Sequence, residues 1–265
     1  MKSDNVFTGP VPQLYDRCLG PILFQPFADV IAERLDNADG AILETAAGTG
    51  VVTGAIAAAV PDSTIVATDL NQAMLDVAAK KIRSPGLTWQ QADAQSLPFD
   101  AGTFDVVVCG FGVMFMPDKL SAFREARRVL RPEGRFVFTV WDRIETNPLM
   151  HVADQTVAAL FPEDPPHFLA RTPCGYSDQT RIVRDLRDAG FDSIEVDEVQ
   201  REASVSSAQE PAMGFCQGTP LRGEIEARDP AGLGPATEAV AAALRQRYGE
   251  GPFTAPMQAL VVTAA

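Results

Sequence analysis

From residue 41 onward, short apolar runs alternate with stripes of helical period. The runs Ala41–Ala46, Thr64–Asp69, Leu87–Ala92, Phe104–Cys109, Arg135–Trp141 and Asp192–Val199 predict strands, and Pro256–Thr263 predicts a final one. Helices are predicted between them. Thr49–Val60 stops at Pro61; Asn71 caps a helix that turns Met74, Leu75, Ala78 and Ile82 inward. Asp118 caps another through Leu130, with Leu120 and Phe123 inward. Residues 148–161 and Asp178–Ala189 follow, the latter closed by Gly190. Pro132-Glu133-Gly134 predicts a turn and Pro162–Pro173 a Pro-rich loop. Residues 200–255 read as a long mixed connection with one helix, Pro235–Arg247. Ahead of the alternation, residues 12–36 carry an uneven stripe that includes Leu14, Ile22, Phe27 and Ile31; Pro21 and Pro26 must kink or break it. Strand and helix signals in strict alternation predict a parallel sheet between helical layers.

The segment Ile42-Leu43-Glu44-Thr45-Ala46-Ala47-Gly48-Thr49-Gly50 takes an apolar strand through a turn of small residues into a helix. Small residues let a ligand lie against the backbone, and the helix start offers it unpaired N–H groups. The dinucleotide fingerprint GxGxxG would place Gly48, Gly50 and then Thr53, so the match to a hydride-transfer site is poor. Asp69 ends the second strand beside that turn. A carboxylate there can accept two hydrogen bonds from the vicinal hydroxyls of a ribose, and Asn71 already suits the capping of the next helix.

Ile42–Gly50 resembles the first motif of class I methyltransferases, an acidic residue followed by GxGxG, with Ala46 at the family's usual first glycine. Thr68–Leu75 is similar to their second motif and Gln91-Ala92-Asp93-Ala94-Gln95-Ser96-Leu97-Pro98-Phe99 to their third. Phe104–Cys109 resembles the fourth strand, and Glu125–Gly134 the helix and turn before the fifth. The closest likeness is to the type-11 family, which includes the quinone-biosynthesis methyltransferases. It covers residues 41–142 well and is loose from 143 onward. The resemblance implies an α/β, Rossmann-like αβα sandwich with a seven-stranded mixed sheet, the last strand antiparallel, and S-adenosylmethionine as cofactor. It further implies that Glu44 organises the turn around the methionyl part, and that Ala46, Gly48 and Gly50 let the backbone approach. Leu70 and Met74 would pack on the adenine, Asp93 accept from its amino group, Ala94 donate a backbone N–H, and Cys109 and Phe111 line the methionine side. Tyr15, with Asp16, would close over the cofactor from an N-terminal helical lid spanning residues 1–40. The core would be 41–142, with substrate-cap segments and the remaining strands in 143–265, all one methyltransferase domain.

Composition narrows the partners. The 265 residues are 46% hydrophobic and 22% charged, enough for a sizeable core. A formal charge of −13 disfavours capture of nucleic acid. The arginine clusters at 124–131 and 181–187 read as solvated helix faces. Cys18, Cys109, Cys174 and Cys216 are scattered, with no metal-binding spacing, and read as reduced thiols of a cytoplasmic protein. Met1–Val11 lacks a signal-peptide core, and the Ala-rich Gly50–Val60 is too short to span a bilayer. Of the two histidines, His167 is the better candidate base and His151 the weaker. Phe111, Met114, Phe115 and Met116 after the fourth strand point to a small apolar or aromatic acceptor, against the alternative of ordinary core packing. A nucleotide-dependent oxidoreductase on the same topology, and a cofactor-binding protein without turnover, remain the rival readings.

Overall fold

A computed structural model of the chain describes residues 7, 9–35 and 40–265. The reading of Met1–Val11, and the far end of the 12–36 stripe, fall partly outside the described residues. Seven strands form: β1 (Ala41–Glu44), β2 (Thr64–Asp69), β3 (Leu87–Gln91), β4 (Phe104–Gly110), β5 (Leu130–Trp141), β6 (Ile194–Val205) and β7 (Phe253–Ala264). They join in one sheet in the order β3-β2-β1-β4-β5-β7-β6. The pairs from β3 through β5 are parallel. Ser193 and Ala265, beside the paired ends of β6 and β7, exchange both backbone hydrogen bonds, the mark of an antiparallel pair. The sheet is therefore mixed, as expected.

Helices α1 (Val11–Cys18) and α2 (Gln25–Glu33) precede the sheet. Next come α3 (Val51–Ala59), α4 (Gln72–Lys81), α5 (Lys119–Val129), α6 (Pro148–Leu160), α7 (Phe168–Arg171) and α8 (Gln179–Asp188). The last three are α9 (Gln209–Gln217), α10 (Leu221–Arg228) and α11 (Leu233–Tyr248). Pro21 falls in a π-helical turn, Gly20–Phe24, between α1 and α2, and Pro26 in the first turn of α2, where a missing N–H costs nothing.

The chain forms two compact units. One comprises Phe27–Val140, Tyr176–Val199 and Ala259–Ala265. Its sheet is covered on both faces because successive side chains alternate sides. Ile42, Val106, Val108 and Val137 share one face with Ile31 of α2 and Ile56 of α3. On the opposite face Phe136 and Phe138 lie 4.9 Å apart, with Phe123 of α5 5.5 Å from Phe138 and Phe191 6.0 Å from Phe136. Fully burying such a ring contributes about 2–3 kcal/mol. The other unit holds the described residues up to Pro26, Trp141–Gly175 and Gln200–Gln258. Within it Gly214 lets α9 close on α1: a Cβ there would stand 2.4 Å from Leu19 Cδ2. Gln258 is buried and donates to Asp142 Oδ2 at 2.7 Å, while its N–H donates to Asn147 Oδ1.

Four local readings need correction. Pro132-Glu133-Gly134 does not separate α5 from β5. Leu130 already pairs with Phe104 and Arg135 with Val106, so 131–134 bulge from within the strand. Gly134 permits this, since a Cβ would stand 2.9 Å from Asp105 O. The Pro162–Pro173 loop contains α7, which forms to bury Phe168 and Leu169. The 200–255 connection holds three helices rather than one, and its first residues extend β6 to Val205. Pro211 and Pro235 sit in first turns and Pro220 at an N-cap, so these prolines start helices instead of breaking them. Finally, Asn71 stands at the N-cap of α4 without a side-chain cap bond. Its amide donates to Asp69 instead.

Among the described residues no helix is long and apolar enough to cross a membrane. All four cysteines are free and buried.

Candidate functional site

The parallel strands lead the chain out at one edge, and at the β1–β4 junction the order of connection reverses. Loops after β1 and β4 therefore diverge, opening the place where α/β sheets bind ligands. The turn after β1 is built tightly. Thr45 N donates to Val108 O at 2.8 Å, Ala47 N to Thr68 O at 2.8 Å, and Gly50 N to Ala47 O at 2.9 Å. Three of its residues are left-handed: Ala46 (φ 53°), Gly48 (57°) and Gly50 (83°). Gly50 is required by packing as well, because a Cβ would lie 2.6 Å from Ile82 Cδ1 and 3.0 Å from Ala78 Cβ. Gly48 is different. Its Cβ would meet only Met74 Cε, at 3.6 Å, so the protein leaves that face of the turn open. α3 then begins with Gly50 as an N-cap that carries no side chain, leaving its first N–H groups to a ligand.

Ala46 pays for its Cβ in backbone strain. Changing it to glycine is expected to stabilise the protein by about 0.5–1 kcal/mol, the left-handed penalty less the extra freedom of the unfolded chain. Urea titration would measure this, and a destabilised variant would contradict it.

Two buried carboxylates close the edge. Glu44 ends β1 at 1% exposure. It accepts 2.5 Å from Thr53 Oγ1, while Thr68 Oγ1 donates to its backbone carbonyl at 3.0 Å. Burial pushes its pKa to about 8; the Thr53 bond opposes this and the neighbouring Asp69 charge adds to it. Asp69 ends β2. Its Oδ2 accepts from Gly48 N at 2.9 Å and its Oδ1 from Asn71 N at 2.7 Å. Burial raises its pKa, and those hydrogen bonds oppose the rise. Asp69 thus braces the glycine turn and makes the Asx turn into α4. Leu70, next in sequence, is 44% exposed beside buried Met74, an apolar surface at the same edge.

The remaining positions vary. Asp93 makes an Asx turn, accepting from Gln95 N at 2.9 Å and Gln95 Nε2 at 3.1 Å, with half-buried Ala94 between them. Cys109 is fully buried, which lifts its thiol to about 11. Phe111 is buried with φ 54°. Tyr15 and His167 belong to the other unit. The Tyr15 ring stacks on Phe24 at 5.0 Å, and Asp16 beside it is half-buried. His167 Nδ1 lies 2.9 Å from buried Asp154 Oδ2. His151 lies half-buried on α6. Thr53 is the residue the sequence undervalued. It is a misfit for a dinucleotide glycine, yet its hydroxyl is the partner of Glu44; a polar residue early in an otherwise apolar helix was the available sign.

These features suit S-adenosylmethionine on physical grounds. Two neighbouring buried acids, each pushed away from its charged form by burial, favour a cationic ligand. Thr49 Oγ1, in the turn, is buried with no hydrogen-bond partner among the described residues, a cost of about 1–3 kcal/mol unless something meets it. Exposed Leu70 offers apolar surface at the same edge.

Sheet order, glycine turn and acidic strand ends define a Rossmann-like protein with a candidate ligand site at the carboxyl edge of β1 and β2. The profile of a family described as a methyltransferase domain matches residues 43–138. The demethylmenaquinone methyltransferase of Lactobacillus johnsonii is 33% identical over 166 residues, 57% of this chain and 68% of that protein. The ubiquinone/menaquinone biosynthesis C-methyltransferase UbiE of Escherichia coli is 30% identical over 168 residues, 58% and 67% of the two chains. The chain belongs to the class I S-adenosylmethionine-dependent methyltransferases, in this methyltransferase-domain family. That membership decides between the two cofactor readings in favour of S-adenosylmethionine.

Solved structures agree in fold. The YcgJ protein of Bacillus subtilis has a TM-score of 0.56 at 17% identity, covering 90% of this chain and 97% of that one. The [4+2]-cyclase SpnF has 0.54 at 22% identity, covering 91% and 80%. A cyclase on this fold is a reminder that the fold alone does not fix the reaction.

Proposed function

We propose that the chain methylates a small, largely apolar or aromatic metabolite in the cytoplasm, with S-adenosylmethionine held at the β1–β2 edge. The observation that carries the acceptor class is the segment after β4, where Phe111, Val113 and Met114 are buried apolar residues beside the turn. The names of the curated relatives, which act in quinone biosynthesis, support a ring-bearing acceptor. The acidic net charge supports a partner other than nucleic acid.

When bound, S-adenosylmethionine supplies a methyl group on a sulfonium, already a strong electrophile. The chain's task is to orient it and keep water away. Glu44 and the open backbone of Gly48 hold the methionyl end, with Gly50 turning the chain into α3. Asp69 accepts from the ribose, Leu70 and Met74 cover the base, and Asp93 and Ala94 meet its edge. Cys109 and Phe111 line the methionine side. Where the acceptor must lose a proton, His167 is the proposed base. Its Nδ1 lies 2.9 Å from Asp154 Oδ2, a contact that orients the ring.

Asp69→Ala is expected to weaken S-adenosylmethionine binding by about 2 kcal/mol, about thirtyfold in dissociation constant. Calorimetry showing unchanged affinity would sink the ribose assignment. The function itself is tested by transfer of label from methyl-labelled S-adenosylmethionine to phenols and quinols, bulk RNA or mixed protein. Label in the small molecules is the expected result; label only in RNA or protein overturns the acceptor class. Tight binding without transfer to anything overturns turnover.

A further inference from the structure

The six residues after β4 are fixed at both ends by side chains from neighbouring elements. At the start, Phe111 is held left-handed at φ 54°, a costly conformation for a bulky residue. Its N–H donates both to Thr139 O and to Thr139 Oγ1, each at 3.1 Å. Thr139 is completely buried on β5, directly opposite Gly110 of β4. At the far end, Lys119 Nζ donates to Met114 O at 3.2 Å and Met116 O at 2.9 Å, carbonyls that close the short helical turn Val113–Phe115. The same ammonium stands 5.0 Å from the centre of the Tyr176 ring. That ring is itself set: its hydroxyl donates to Asp185 Oδ2 at 2.8 Å, and Arg181 lies 5.1 Å from its centre.

We propose that Thr139 and Lys119 are positioning residues that clamp Phe111–Met116 as a pre-set wall of the acceptor site. A lysine with its donors spent on two carbonyls and a ring face is unsuited to bind substrate itself. A threonine hydroxyl added to a backbone bond already present is redundant for the sheet, but it strengthens the hold on a strained residue. The wall's shape therefore depends on β5 and α5, with Tyr176 set by α8, as well as on the loop's own sequence. This rests on the acceptor reading above.

The test compares Thr139→Val, which keeps the shape and removes the hydroxyl, with Thr139→Ser, which restores it, and with Lys119→Met, which keeps the stem and removes the charge. Amide hydrogen exchange in residues 111–116 is expected to quicken at least tenfold in the Val and Met variants, remain near wild type in the Ser variant, and stay unchanged at 47–50. With an accepted quinol or phenol, kcat/KM is expected to fall about tenfold, while S-adenosylmethionine affinity, which involves only the Phe111 end of the segment, falls no more than about threefold. Unchanged exchange in both variants overturns the clamp. Faster exchange with unchanged kcat/KM overturns its role in the reaction, as does an equal loss of cofactor affinity. Wild-type enzyme that methylates none of the small molecules counts against the acceptor reading instead, and the exchange arm still decides the clamp.

Discussion

Between about pH 4.5 and pH 8 the cofactor-free protein is expected to lose on the order of 5 kcal/mol of stability through Glu44 alone. Its pKa is raised from 4.5 to about 8 in the folded state, with desolvation the largest cause. The folded protein therefore binds a proton that the unfolded chain releases, and stability falls as pH rises through that window. The contribution is complete below the unfolded pKa and gone above the folded one. Other groups titrate too, so the informative quantity is the difference between wild type and Glu44→Gln in urea midpoint across pH. The wild-type slope should be the steeper, and parallel curves would show that Glu44 is not held protonated. A cationic ligand favours the ionised carboxylate, so cofactor affinity should rise with pH over the same range.

Gly112→Ala is the second change with a large expected effect, about 3 kcal/mol of destabilisation. Its backbone is ordinary, with φ −98°. The obstacle is space: a Cβ would stand 2.4 Å from Ala46 Cβ and 2.8 Å from Cys109 Sγ, and neither neighbour can swing away. The turn after β1 and the loop after β4 thus share room for one methyl group, which Ala46 occupies. Moving that methyl across, in the double variant Ala46→Gly/Gly112→Ala, should recover at least half of the loss. A double-mutant cycle from four urea titrations measures the coupling. Simple additivity would mean that the two loops relax independently.

The sequence was informative where periodicity and small residues coincided. Thr64–Asp69 formed a strand with the expected bounds, Asp118 capped α5 as expected, and Asp178, read as the first residue of its helix, is the N-cap of α8. The glycine turn was legible because Gly48 and Gly50 need positive φ whatever surrounds them. What stayed hidden depended on partners distant in sequence. The pairing of Asp69 with Gly48 and Asn71 removed the elimination by which Asn71 alone would cap α4. Gly112 gave no sign of its importance, because the constraint comes from Ala46 across two strands. Two of the three helices between residues 206 and 252, those carrying Pro211 in a first turn and Pro220 at an N-cap, were missed, while Pro235 opened the one that was expected.

Strand order also governs the sequence of events during synthesis. β7 is inserted between β5 and β6, although it is made after both. On the ribosome, β6 must wait unpaired while residues 206–252 are added, and β5 keeps a bare edge for as long. The nascent chain therefore cannot finish its sheet progressively; the last insertion closes two interfaces together, a slow non-local step that exposes strand edges to other chains. Glu195, Glu198 and Glu202 stand exposed along β6. Such charges are what keep a waiting strand from pairing with the wrong neighbour.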